Sequence, residues 1–416
     1  MAKTIIVVGG SLAGLMHGLQ HKRLGNNVVI LEQETGERSG QEAGIGFGDA
    51  VNDFYNKYDA TGVAAAIHNR ARRFAYRTHP DVFRNNKPLS LTSWGLIYRL
   101  LRANFDGMAS PACPNPPPPL PGDGIASYLS GKRVSAFETT PGKVTVRYVD
   151  VQTNEEKSLS ADLLIGADGI HSTIRRLVKA PTLERYAGYV SWRGTVPERE
   201  LSKETCEYFS DWLCLNLAKR SYLIGYVVPT DDGNFKLGER LVNFVWYYNM
   251  GDSSAEMNEV FTDIHGEYHR KTVPRGLVRP EVWGRVRDDI KVARPFAEVL
   301  AKVQAPFVTK INDAISDSSS FYDGQVVLVG DAFASFRPHA AAATEQCAFH
   351  CQTLEKVYSG QKTMAAWERE ARHYARHMVL LNRIVGDFGR GAVLSLLRAL
   401  MCYAIFLLWK KFRRGY

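Results

Sequence analysis

A glycine turn and three acids are the residues of this chain best suited to chemistry. In GGSLAG, Gly9, Ser11 and Gly14 take the three spaced positions of a phosphate-binding turn, with serine where the middle glycine usually stands. Gly9 permits the tight turn, Gly14 permits close packing, and the start of the next helix offers free amides to a pyrophosphate. Glu32 stands 23 residues after Gly9, where a carboxylate accepts hydrogen bonds from ribose hydroxyls. Asp168 in LLIGADG and Asp331 in VVLVGDA each follow an apolar run in the same way. Taken singly, each is also a generic strand-to-helix turn with a chance acid beyond it.

Only a shared parallel sheet brings these groups together. TIIVV (4–8) reads as a strand covered on both faces, followed by the glycine turn, a helix to Arg23, a turn at Gly25-Asn26-Asn27 and a second strand, VVIL, ending at Glu32. That is a βαβ unit. Strands are expected at 143–151 and 162–169 after the proline-rich loop 110–124, and they read as a resumption of the same sheet. Between 186 and 250 the texture changes to aromatic runs such as YAGYVSWRGTV and RLVNFVWYYN, which imply a separate, mostly antiparallel sheet. The run at 326–329 returns to the first style, so one domain is set between parts of the other. The acids then lie at the C-terminal ends of strands, the edge where ligands of open α/β sheets bind.

The formal charge of +9 over 416 residues owes four units to Lys410, Lys411, Arg413 and Arg414. The remainder argues against a nucleic-acid partner. Six cysteines without a CxxC pair point to reduced thiols and a cytoplasmic setting. The apolar segment after Lys3 has glycines at turn spacing, which fits the folding motif better than a signal peptide.

Together, Gly9-x-Ser11-x-x-Gly14 with Glu32, Asp168-Gly169, and Gly330-Asp331 with Pro338 resemble the single-component FAD-dependent aromatic monooxygenases of the para-hydroxybenzoate hydroxylase type. YAGYVSWRGTV and GDAFASFRPHAAAAT are similar to the dihydroxypyridine hydroxylase branch and its fungal relatives. The resemblance covers roughly residues 4–353 and implies an α/β fold: a Rossmann-type FAD-binding domain interleaved with a mostly antiparallel β substrate domain, plus C-terminal helices. The expected FAD-binding parts are 1–70, 96–180 and 286–353. The substrate-domain parts are 71–95 and 181–285, and 354–416 holds the helices and an apolar-basic tail.

The resemblance further implies that Gly9, Ser11 and Gly14 meet the FAD pyrophosphate, that Glu32 binds the adenosine ribose, and that Gly46 lies near the flavin. Arg99 would reach the FAD phosphates or ribityl chain, Val134 would stand beside adenine, and Asp168 would lie between FAD and NAD(P)H contacts. Asp331 would bond the ribityl chain, with Ala343 and Thr344 at the helix start nearby. Many members have glycine at the position of Ala343 and a charged residue at that of His350. NAD(P)H would reduce FAD, O2 would add at the flavin C4a carbon, and the distal oxygen of the hydroperoxide would pass to an electron-rich aromatic substrate, as in secondary metabolism. Arg193, Tyr222 and His339 are the candidates for orienting the ring and moving a proton; each also has a structural reading, as an ion pair, a core residue or a backbone-bonded ring. An oxidase, epoxidase or oxidative cyclase, or a non-catalytic FAD-binding module, is the alternative. The WxWxIP motif of flavin halogenases is absent.

Cys347, His350 and Cys351 share a helical face, but no fourth ligand stands nearby, so no metal is expected. Residues 392–409 are apolar except for Ser395 and Arg398. Three readings stand: a monotopic membrane-surface helix, a short tail anchor, or a helix packed on the protein or a twin subunit.

Overall fold

The computed structural model describes residues 2–36, 43–86 and 88–413, with side chains through residue 409. The basic side chains of Lys410, Lys411, Arg413 and Arg414 lie outside the described residues. The elements that shape the molecule begin with β1 (Thr4–Val8), α1 (Leu12–Arg23), β2 (Asn27–Leu31), β3 (Gly44–Phe47) and β4 (Ala71–Tyr76). Next come α2 (Trp94–Asp106), β5 (Ala126–Leu129), β6 (Leu163–Gly166), α3 (Thr173–Leu177) and β7 (Thr182–Pro197). β8 (Trp212–Ala218), β9 (Ser221–Val228), β10 (Leu241–Asn249), β11 (Phe307–Ser316) and β12 (Val326–Leu328) follow. The chain closes with α4 (Ala342–Tyr358), α5 (Met364–Gly389) and α6 (Val393–Arg413).

A six-stranded sheet runs in the order Ser320–Phe321, β12, β6, β1, β2, β5. All its neighbours pair in parallel except the Ser320–Phe321 edge. Its central strands are apolar at successive positions because α1 and α4 lie against one face of the layer and a small β-layer covers part of the other. The strand at Lys143–Asp150 does not join it. That strand sits between Lys132–Thr140 and Glu156–Ala161 in a separate antiparallel layer, which corrects the expectation of one continuous sheet. Its alternating burial, with Val144, Val146 and Tyr148 inward, is the pattern of a strand covered on one face.

The larger sheet has nine strands: Thr272–Val273, β11, β7, β10, β9, β8, β4 and His79–Asn85, with Ala334–Ser335 added on β11. The boundary expected at residue 286 therefore moves. Residues 294–302 form a helix packed under this sheet, and β11 pairs along β7, so the chain rejoins the parallel sheet only at residues 320–328. The two-residue period of each strand divides the aromatic residues between two faces. Trp192, Leu223, Phe244 and Trp246 point to a core completed by Trp283, Phe296 and Val299. The opposite face is set out in rows across the strands. Arg193, Val245, Ile224, Leu215 and Phe74 form one row, and Tyr247, Tyr222 and Leu217 form the next.

Candidate active site

One cleft of about 1140 Å3 is bounded by the C-terminal edge of the parallel sheet at one end and by those rows at the other. It is large enough for a dinucleotide-sized ligand and a small ring together.

At the sheet edge, Gly9 adopts φ +101°, and a Cβ built on it would stand 2.5 Å from the carbonyl oxygen of Ala167. A Cβ on Gly14 would fall 1.8 Å from the carbonyl oxygen of Gly9, so the helix packs directly on the turn. Gly10 is equally constrained, by Tyr128. Ser11 starts α1 without a side-chain cap, which leaves the first-turn amides directed at the cleft. Glu32 is buried: its Oε2 accepts from the Gly10 amide at 2.7 Å and its Oε1 from the Glu34 amide at 2.9 Å.

Asp168 and Asp331 differ. The Asp168 carboxylate caps α3, accepting from the Thr173 amide at 2.6 Å, the Ile174 amide at 3.1 Å and the Ser172 hydroxyl. Burial raises its pKa, and those bonds pull it back. Asp331 makes no hydrogen bond among the described residues. Burial raises its pKa to about 6, with the Arg175 guanidinium opposing. It lines the cleft. The Gly330 amide donates to His350 Nδ1 at 3.3 Å, so the neutral ring of His350 supports the Gly330-Asp331 turn. Among the described residues no group of His, Cys, Asp or Glu could hold a metal, Cys347, His350 and Cys351 included.

Gly46, Val134, Ala343 and Thr344 also line the cleft. A Cβ on Gly46 would meet Leu89 at 2.8 Å and Ala341 at 3.4 Å. Ala341, at the start of α4, carries a left-handed backbone, φ +53°, a conformation that L side chains disfavour. Arg99 is placed elsewhere: it does not line the cleft, and its guanidinium pairs with Asp232. Arg102, one turn on, lies 3.6 Å over the Tyr128 ring, whose hydroxyl donates to the Gly10 carbonyl at 3.1 Å.

At the other end the three expected catalytic residues converge. His339 is half-buried at the cleft wall, with Nδ1 bonded to the Tyr222 hydroxyl and Nε2 to the Tyr189 hydroxyl. Burial first, then the nearby Arg337, Arg390 and Arg193 charges, hold its pKa well below the usual imidazole value, so the ring is neutral. Tyr222 lines the cleft, and burial raises its pKa well above that of a free phenol. Arg193 lines the cleft beside Tyr226 and Tyr247, and its buried Nε has no partner among the described residues. Burial pushes Tyr226 up to about 12, with Arg193 opposing. The Tyr247 hydroxyl donates to the Pro338 carbonyl at 2.7 Å, tying the strand to the loop that holds His339.

Sequence reasoning missed the remaining wall. Leu381, Ile384, Val385, Phe388 and Gly389 of α5 close the cleft over Tyr222. The signal was present in Gly386, a glycine inside a long helix where it costs stability unless something packs closely, and in Gly389 at the helix's last residue.

A profile of the FAD binding domain-like family matches residues 186–313. The 2,6-dihydroxypyridine 3-monooxygenase of Paenarthrobacter nicotinovorans is 26% identical over 372 residues, covering 88% of this chain and 86% of the relative. The curated relatives that the chain matches over most of its length are aromatic monooxygenases. Solved structures agree on the fold. The 2,6-dihydroxypyridine-3-hydroxylase of Arthrobacter nicotinovorans superimposes with a TM-score of 0.77 at 24% identity, over 94% of each chain. Klebsiella pneumoniae HpxO, solved with FAD and uric acid, gives 0.66 at 20% identity over 97% of this chain and 92% of its own. FAD is the cofactor of the fold, and the close-packed glycine turn, the uncapped start of α1 and the buried Glu32 acceptor fit it.

Proposed function

We propose that the chain is an NAD(P)H-dependent monooxygenase that inserts one atom of O2 into an electron-rich aromatic or heteroaromatic ring, with the Arg193–Tyr222–His339 end of the cleft as its substrate site. The observation that carries this reading is the continuity of the cleft: dinucleotide-binding features and an aromatic, arginine-bearing sheet face line the same space. FAD, once reduced, supplies the activation of O2. In this reading the α1 amides and Glu32 hold the pyrophosphate and adenosine ribose, Gly46 and Val134 admit the ring systems, and Asp331 bonds the ribityl chain. Asp168 caps α3, fixing the turn at Gly169, and lines the cleft between the FAD and NAD(P)H contacts. The first turn of α4, from Ala343 to Thr344, directs its amides at the flavin.

Arg193 orients an anionic or phenolic substrate group. Tyr222, bonded to neutral His339, receives or returns a phenolic proton at its hydroxyl, with His339 Nδ1 as the acceptor behind it. Leu213, Leu215, Ile224 and the α5 wall exclude water. The outward side of α6 serves as a contact surface for a partner outside the chain's own body.

The test is to purify the protein, measure its flavin absorbance, and follow NADPH and O2 consumption with a panel of phenols and indoles. The expected result is a yellow protein whose NADPH oxidation rises several-fold with a suitable ring and yields hydroxylated product. A colourless protein that FAD cannot reconstitute would sink the reading. A yellow protein that no ring stimulates would remove the hydroxylase assignment while leaving the cofactor.

A further inference from the structure

The outward side of α6 departs from the pattern of a water-facing helix. Its inward residues follow three-and-four spacing: Ala399 is buried, Tyr403 meets His377 at 5.6 Å between ring centres, and Phe406 stacks on His373 at 4.7 Å. The residues between these point away from the protein and are apolar too. Leu394 is 86% exposed, Leu397 58%, Met401 58% and Leu408 56%. From Val393 to Trp409 the only charged residue is Arg398. A surface helix ordinarily carries charge on that side, and an apolar stripe of this length marks an interaction surface.

Charge says what covers it. Residues 371–416 hold nine Lys and Arg against one acid, Asp387, and so account for all but one unit of the chain's formal +9. Arg383 pairs with Asp313, and Arg390 pairs with Asp387. Arg372, Arg376 and Arg398 have no ion pair among the described residues. Four further cations follow Trp409 in the sequence. A second copy presenting the same helix would bring these like charges together, whereas anionic headgroups would neutralise them. No described helix is long and apolar enough to cross a membrane. A helix of this kind lies in the plane of the interface.

We infer that the α5–α6 hairpin docks the protein on an anionic phospholipid surface, with the apolar side of α6 at the acyl boundary and the cations of α5 and α6 against headgroups. The same hairpin borders the cleft: Phe388 lines it, is 59% exposed, and is three residues from the turn at Gly391. The inference rests on the contact-surface reading of α6 and is independent of the redox chemistry.

The test is sedimentation of the full-length, FAD-reconstituted protein with vesicles of phosphatidylcholine alone or mixed with phosphatidylserine. Binding to the mixed vesicles is expected to exceed binding to the neutral ones by about tenfold and to weaken as salt is raised. The double variant Leu397→Glu with Met401→Glu should lose at least about tenfold of that binding with its flavin spectrum unchanged. Arg372→Gln with Arg376→Gln keeps the apolar side intact and should remove most of the preference for phosphatidylserine, which keeps the test valid if the first variant fails to fold. Equal binding to both vesicles, or binding to neither, overturns the inference. A dimer that the glutamate variant dissociates, without vesicle binding, assigns the surface to a second copy instead. Vesicle binding is read on the protein itself, so docking without turnover would sink the monooxygenase reading alone.

Discussion

Gly389 lies so close beneath Tyr222 that a Cβ on it would stand 2.5 Å from the tyrosine ring. One turn earlier, a Cβ on Gly386 would stand 2.4 Å from Nε2 of His339. The two glycines let α5 rest directly on the pair of side chains proposed to handle the substrate proton.

Gly389→Ala should therefore destabilise the fold even though alanine is the better helix former. At the last residue of α5 the propensity gain is below the about 1 kcal/mol of a helix interior, and overpacking costs about 1–3 kcal/mol. Thermal melts should show a lower Tm, and more NADPH should be consumed per product formed. A raised Tm with unchanged coupling would refute the close approach.

Tyr222→Phe removes the hydroxyl at His339 Nδ1 and leaves a buried nitrogen without its partner. Stability should fall by about 1–3 kcal/mol. FAD affinity should be unaffected, and kcat should drop by more than KM rises. A raised KM with kcat unchanged would place Tyr222 in binding alone.

Glu32→Ala deletes the acceptor of the Gly10 and Glu34 amides. Bonds to a charged acceptor contribute about 1.5–3 kcal/mol each, so FAD titration followed by fluorescence should show a Kd raised tenfold or more. Asp331 provides the pH dependence of the same equilibrium. Its carboxyl titrates near pH 6, so FAD affinity should fall as the pH drops through 6, and Asp331→Asn should bind weakly with a flat profile. A wild-type profile without that limb would detach Asp331 from the cofactor.

Three histidines are buried and neutral, His17 well below the ordinary value and His21 and His350 at about 3, and the half-buried His339 also lies well below it. Unfolded chains take up protons at these positions near pH 6.5 while the folded chain does not. Stability is therefore full above 6.5 and falls below it, by up to about 1.4 kcal/mol per pH unit for each ring. Asp331 works the other way: the folded chain binds its proton first, so acidification below pH 6 restores part of the loss. Melts from pH 7 to 5 should show a falling Tm. His17→Leu should raise stability and flatten the slope, because both His17 ring nitrogens are buried without a partner among the described residues. A pH-independent Tm would contradict the buried neutral assignment.

The cofactor end of the cleft was largely legible in the sequence because its signals are local. Gly9, Gly14 and the acids after β2, β6 and β12 declare their backbone geometry through their immediate neighbours. What eluded the sequence depends on distant pairing. Asp168 and Asp331 look alike as strand-end acids, yet one caps α3 and the other makes no side-chain hydrogen bond among the described residues, a difference set by Ser172 and Thr173 folding back. Arg99 and Arg102 lie one turn apart on α2, yet one pairs with Asp232 and the other with Asp106 and the Tyr128 ring, partners that the sequence alone does not reveal. The strand at 143–150 carries an apolar pattern compatible with either sheet, and β11 is claimed by β7 across more than a hundred residues. The α5 wall was hidden because its amphipathic period reports a buried side without saying what lies against it.

Asp313 sits midway along β11 and accepts from Arg337 at 2.6 and 3.1 Å and from Arg383 at 3.1 Å. One buried carboxylate thus joins the larger sheet, the loop that carries His339, and α5. This settles where the chain can be shortened. A stop after Gly391 removes α6 and leaves both cations on Asp313. A stop before Arg383 strips one cation from the buried acid and removes the cleft wall with it.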